Sequence, residues 1–134
     1  MNDELLDDDL TAISANAPTI TDDRAEFPFP TIGQEALAGK IQKFLEKDGY
    51  KIESGTPISA VYGKGNKALR IILGALVKRF RWGIHVTGDE NQSTLIFTKD
   101  EKGYWGGVIG VSQVKNEWSR IVNALSAYHT KHSI

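Results

Sequence analysis

Residues 82–99 read WGIHVTGDENQSTLIFTK, and they give the clearest indication of the fold class. Polar and apolar side chains alternate from Trp82 to Thr87, and β-forming residues fill 93–99, whereas residues 88–92 between them are all turn formers. A period of two predicts strands with one buried face. The stretch therefore predicts an antiparallel hairpin.

Helical periodicity lies on both sides of this hairpin. Apolar residues follow one helical face from Val111 to Tyr128, with Ser112 as the predicted N-cap. A second helical pattern covers residues 33–48, where Thr31–Gln34 fits a capping box and Gly49 provides the stop. Both patterns predict helices that bury one side.

Three further segments complete the expected fold. Residues 50–54 and 58–62 alternate around a Gly-Thr-Pro turn and predict another hairpin, and the Leu-, Ile- and Ala-rich residues 66–81 predict a helix. Residues 104–110 fit a glycine-broken edge strand and a loop equally well. We expect an α+β fold: a small antiparallel sheet of about four strands in two hairpins, with about three helices packed on one face.

The net charge of -1 is the sum of an acidic first part and a basic second part of the chain. Residues 1–26 hold eight acids and one base, whereas residues 27–134 hold nine acids and fifteen bases. The acidic part has too few apolar side chains to offset ordering entropy, so we predict a disordered acidic tail over 1–30 and a single α+β domain over 31–134. The prolines of Phe27-Pro28-Phe29-Pro30 mark the predicted border because they exclude helix.

Composition also limits the cellular setting. The chain has no cysteine, which excludes disulfides and thiol chemistry, and its N-terminus lacks the basic and apolar regions of a signal peptide. No apolar run approaches the roughly 20 residues of a transmembrane helix. We therefore expect a cytoplasmic protein.

The strongest local signal is a run of bases in residues 64–81. No acid occurs between Glu53 and Asp89, and most of these bases fall on one stripe of the predicted helix. Such a stripe suits phosphates or other anionic groups, although it also suits a solvated outer face of a core helix. The candidate anion-binding residues are Lys64, Lys67, Arg70, Lys78, Arg79 and Arg81.

Other chemistry-bearing patterns are incomplete, and we predict no cofactor and no metal. The glycines of residues 63–67 lack P-loop spacing, and those of 103–110 lack the dinucleotide fingerprint. Residues 89–100 resemble a calcium loop except that Thr94 stands where glycine is needed. His85 has no neighbouring nucleophile motif, and His129 and His132 near the chain end have too few companions to hold a metal.

Three functions remain open on the sequence. The first is a non-enzymatic binding domain whose basic helix meets an anionic partner: a nucleic acid, an anionic lipid surface or an acidic protein. The second is a protein-interaction domain that its own acidic tail autoinhibits. The third is an enzyme that acts on a small anionic substrate through the glycine loops.

Overall fold

The computed structural model describes residues 16–64, 80–99 and 111–132. These residues form an antiparallel sheet of six strands and two long helices. The elements are β1 (Thr19–Ile20), β2 (Arg24–Phe29), α1 (Gln34–Lys47), β3 (Lys51–Thr56), β4 (Ser59–Lys64), β5 (Phe80–Gly88), β6 (Ser93–Lys99) and α2 (Val111–His132). The α+β class and both predicted hairpins are confirmed.

The strand order across the sheet is β1-β2-β6-β5-β4-β3. Chain neighbours β3, β4, β5 and β6 lie side by side, as hairpins require, and β2 adds to the far side of β6. The first residues of β2, β3 and β5 and the last residues of β4 and β6 therefore lie at the same end of the sheet. We call this the open end of the sheet.

The expected count of about four strands is wrong because residues 19–20 and 24–29 also form strands of the sheet. The predicted disordered tail over 1–30 includes this segment, yet Ala25, Phe27 and Phe29 are completely or almost completely buried. Proline fits at position 28 because β1 pairs only with Ala25 and Glu26, which leaves the second half of β2 as an edge. Residues 1–15 of the predicted tail lie outside the described residues.

Both helices lie on one face of the sheet, as predicted. Buried Leu37, Ile41 and Leu45 attach α1 to the sheet, and α2 contributes Trp118 and three further buried apolar residues. The rings of Trp82, Phe97 and Trp118 form an aromatic cluster between sheet and helix, with Phe97 and Trp118 stacked at 4.8 Å. The strand residues of opposite parity, such as His85 and Ile96, point to the other face.

Helix ends differ slightly from expectation. The capping box is absent, because Gly33 is the N-cap of α1 and no side chain caps it. Gly49 adopts a φ of 94°, as the predicted helix stop requires. Helix α2 begins at Val111, one residue before the predicted cap.

The predicted third helix over 66–81 wrongly includes two residues that belong to a strand. Phe80 and Arg81 are the first residues of β5, where Phe80 pairs with Lys64 and its ring stacks parallel to that of Trp82. The sheet therefore extends two residues further than the alternation at 82–87 predicts. Residues 65–79 and 100–110, including the ambiguous segment 104–110, lie outside the described residues.

Candidate functional site

Two of the six candidate anion-binding residues are described, and both lie at the open end of the sheet. Lys64 is the last residue of β4 and Arg81 is the second residue of β5. Because Arg81 is in a strand, it does not belong to the predicted helical stripe. Lys67, Arg70, Lys78 and Arg79 lie outside the described residues.

Lys64 interacts with two side chains of the folded domain. Its Nζ lies 3.6 Å from Oδ2 of Asp48, at the end of α1, and 5.2 Å from the centre of the Tyr50 ring. An ion pair and a cation–π contact both hold this ammonium group in place. Lys64 is therefore less available to an external anion than its sequence position indicates.

Arg81 also forms an internal ion pair. Its Nε lies 3.1 Å from Oε1 of Glu53, and both side chains are less than one quarter exposed. The Glu53 carboxylate crosses β4 directly over Gly63, where any Cβ atom would collide with it. A β-bulge between Ile52 and Ser54 leaves Glu53 out of register. Glycine at position 63 thus permits the ion pair across the middle strand.

Next to Lys64, a polar cluster joins both helices to the sheet. The Arg120 guanidinium donates two hydrogen bonds to Asp48, at 2.6 and 3.0 Å, and two to Glu117, at 2.7 and 2.9 Å. The Tyr50 hydroxyl donates to Glu117 Oε2 at 2.5 Å and accepts from Trp82 Nε1 at 2.8 Å. We call Asp48, Tyr50, Glu117 and Arg120 the polar cluster.

The electrostatics of the polar cluster stabilise its charges. Hydrogen bonds from Arg120 lower the pKa of Asp48. Burial alone raises the pKa of Glu117, but hydrogen bonds from Arg120 and Tyr50 outweigh it and lower the pKa. Burial and the hydrogen bond to Glu117 raise the pKa of Tyr50 far above its usual value. Both carboxylates are thus ionised, and Tyr50 is neutral, at physiological pH.

The pKa shifts of the polar cluster suit a structural role better than a role in proton transfer. A general acid or base works best with a pKa near the operating pH, whereas all these shifts move away from neutrality. The cluster also spans 72 residues of sequence between Asp48 and Arg120, so sequence reasoning had no local signal for it. We interpret it as a clamp that fixes α1 and α2 to the end of the sheet.

A comparison of two tyrosines tests the clamp. Tyr50→Phe is expected to lower the free energy of unfolding by about 1–3 kcal/mol, because Glu117 loses a donor and Trp82 loses an acceptor. Tyr62→Phe is the matched control, since the buried Tyr62 hydroxyl has no hydrogen-bond partner in the described part of the chain. We expect this control to be neutral or stabilising in denaturant melts. Equal losses in both variants would contradict the clamp.

The same cluster predicts a pH dependence. Asp48 and Glu117 have lowered pKa values in the folded state, so their contribution to stability is complete above their unfolded values, near pH 4, and is lost as the pH falls through the folded values. Arg120→Met is expected to cost about 1–3 kcal/mol at pH 7. The difference from the unmodified chain should shrink below about pH 4. A difference that stays constant from pH 7 to pH 2 would show that Arg120 contributes only packing.

The histidines do not assemble a site within the described residues. His85 is exposed on the sheet face opposite the helices, in an open depression of about 400 Å³. His129 near the chain end is buried: its Nε2 lies 2.8 Å from the Pro28 carbonyl, and its ring packs against Phe27 and Phe29. No group of potential metal ligands occurs among the side chains of 16–64, 80–99 and 111–132.

Comparison with known proteins gives no relative: no family model, no curated protein and no solved structure matches this chain. In the described residues, neither helix combines the length and apolar character needed to cross a membrane.

Proposed function

We propose that the protein is a non-enzymatic binding domain that contacts an anionic partner through the cations of residues 64–81. The partner is a nucleic acid, an anionic lipid surface or an acidic protein. Most of the interaction comes from four cations that lie in sequence between Lys64 and Arg81, since these two residues form internal ion pairs. They are Lys67, Arg70, Lys78 and Arg79.

The observation that carries the proposal is the pairing of Lys64 with Phe80. These residues are register partners at the ends of adjacent strands, so the two residues that flank 65–79 lie side by side in the sheet. This connection has four bases and no acid, and therefore a charge of +4. Both ends of this segment are fixed at the open end of the sheet, which supports a contact with an anionic partner there.

Strand ends add to the charge of this region. Each of the strands β2 to β6 has a cation within two residues of the open end. Arg24, Lys64 and Arg81 are neutralised by Glu26, Asp48 and Glu53. Lys51 and Lys99 form no ion pair with a described carboxylate, and Lys99 lies over the Trp118 ring. Both add positive charge at the open end, but the proposal assigns the contact with the partner to the four cations of residues 65–79.

The ion pairs of Lys64 and Arg81 reduce the number of cations that the proposal assigns to the partner. Because internal carboxylates hold Lys64 and Arg81, the proposal assigns the contact with the partner to four cations of the segment instead of six. Fewer contacts imply a weaker dependence on salt.

A binding panel tests the proposal and identifies the partner class. The full chain is mixed at low salt with duplex DNA, RNA, vesicles of phosphatidylserine and phosphatidylcholine, and polyglutamate, with pure phosphatidylcholine vesicles as the uncharged control. We expect binding to one anionic class and none to the uncharged vesicles. A failure to bind any of the anionic probes at about 50 mM salt, where electrostatic binding is strong, would overturn the proposal.

Autoinhibition by the acidic tail remains a second function, and the fold changes its test. Removal of residues 1–26 would delete β1 and half of β2, and so would damage the sheet. Removal of residues 1–15 leaves every described strand in place. If the tail competes with the partner, this shorter deletion should strengthen binding in the panel, and unchanged binding would contradict autoinhibition.

A further inference from the structure

A groove runs between the edge strand β1 and the first half of α2. Its volume is about 720 Å³, which is within the range of pockets that hold ligands. Trp118 and Val122 of α2 form its apolar floor, and both side chains are at most 5% exposed. Ile20 of β1 lies at its side and is 46% exposed, the largest exposure among the bulky apolar side chains of the described residues.

Cations line the same groove. Lys99 reaches over the Trp118 ring, with its Nζ 5.4 Å from the ring centre, and Lys115 is an exposed residue of α2. Neither lysine forms an ion pair with a described carboxylate, and Asp22 is the acidic residue of the lining. The groove thus combines an apolar floor with a net positive rim, which suits a segment that has both leucines and acids.

We propose that this groove binds residues 5–13 of the same chain. The apolar side chains of Leu6, Leu10 and Ile13 cover Trp118 and Ile20, and the carboxylates of Asp7 and Asp9, which flank these side chains on a helix, face Lys99 and Lys115. This intramolecular contact does not depend on the proposed function of residues 64–81.

Three features identify this occupant. Residues 1–15 hold five acids and no base, which complements the two lysines of the groove. Leu6, Leu10 and Ile13 recur at i, i+4 and i+7, the spacing that gathers side chains on one side of a helix. The segment also ends beside the groove, because Asn16 is only four residues before Ile20.

Reach and effective concentration favour the internal segment. The seven residues from Ile13 to Ile20 span at most about 25 Å when extended, which is enough to turn back along one helix face. A tethered segment competes at an effective concentration in the millimolar range, so even a weak apolar and ionic contact is populated. A separate peptide of the same chemistry would lack this advantage.

The natural absence of cysteine permits a direct test in the full chain. A nitroxide spin label is attached at Asn123→Cys, an exposed position of the groove, and loss of amide NMR signal intensity is measured along residues 1–16. We expect a strong loss at residues 5–13. A label at Glu90→Cys, which is exposed in the β5–β6 turn at the other end of the sheet, is the control and should leave these signals intact.

Substitutions in the tail separate docking from simple tethering. Leu6→Ser combined with Leu10→Ser should restore the signals, whereas Asn2→Ser combined with Thr11→Ser should not. Lys99→Glu combined with Lys115→Glu should also restore them. A loss that declines smoothly from residue 16 towards residue 1, and is equal in all variants, would overturn the proposal.

Other occupants give distinct results. A loss that appears only between labelled and isotope-enriched copies in a mixture would assign the groove to a second copy of the chain. A loss confined to the amides of residues 100–110 would assign it to the connection between β6 and α2. Either result would overturn occupation by residues 5–13.

Discussion

Phe27→Ala is expected to lower the free energy of unfolding by about 3–5 kcal/mol, the usual cost of removing a phenylalanine from a core. Phe27 is completely buried in the centre of β2, opposite Leu95 of β6, and its ring contacts that of His129. A phenylalanine in a mobile tail would cost almost nothing. The substitution therefore distinguishes the observed sheet from the disordered border that the sequence predicts.

The control for Phe27→Ala is its neighbour Glu26→Ala. Glu26 points to the opposite side of the same strand and pairs with the exposed Arg24, so its loss is expected to cost less than about 1 kcal/mol. Urea melts monitored by tryptophan fluorescence measure both values. A loss below about 1 kcal/mol for Phe27→Ala would contradict the place of β2 in the core.

The second large effect concerns binding. Arg70→Glu combined with Lys78→Glu is expected to reduce the affinity for the anionic partner by about 100-fold or more, because two attractive contacts become repulsive. Lys40→Glu combined with Lys43→Glu, on the exposed side of α1, is the matched control, since it changes the net charge by the same amount. Fluorescence titration against the best probe of the panel measures both variants.

The control decides how the loss is interpreted. If the two double variants lose affinity equally, net charge alone controls binding and residues 64–81 have no special role. If neither loses affinity, the partner does not bind through these cations. A loss confined to Arg70→Glu and Lys78→Glu supports the proposal, and circular dichroism of each variant shows that the fold is retained.

Local periodicity predicted the elements that have a strong, uninterrupted pattern. The alternation at 82–87 and the helical spacing from Val111 to Tyr128 each reflect one buried face, so β5 and α2 followed directly. Strand β2 alternates equally well, with Ala25, Phe27 and Phe29 buried, but Pro28 and the surrounding acids concealed it. Whether proline is tolerated depends on how far β1 extends, and that is a tertiary property.

The candidate site was predictable only in part. The sequence identified the bases at 64 and 81 but not the carboxylates that neutralise them. Asp48 reaches Lys64 because α1 ends beside the sheet, and Glu53 reaches Arg81 because a bulge and Gly63 let its side chain cross β4. Such pairings depend on strand register, which a run of like charges does not reveal.

The salt dependence of binding shows directly whether the cations of residues 64–81 contact the anionic partner. Affinity of the full chain for its anionic partner is measured from 50 to 200 mM salt. Four available cations predict, for duplex nucleic acid, a slope of log affinity against log salt of about -3.6 and a loss of about 100-fold over this range. The slope should flatten by about 2 in the variant with Arg70→Glu and Lys78→Glu. A slope near zero, or one unchanged by this variant, would contradict binding through the cations of residues 64–81.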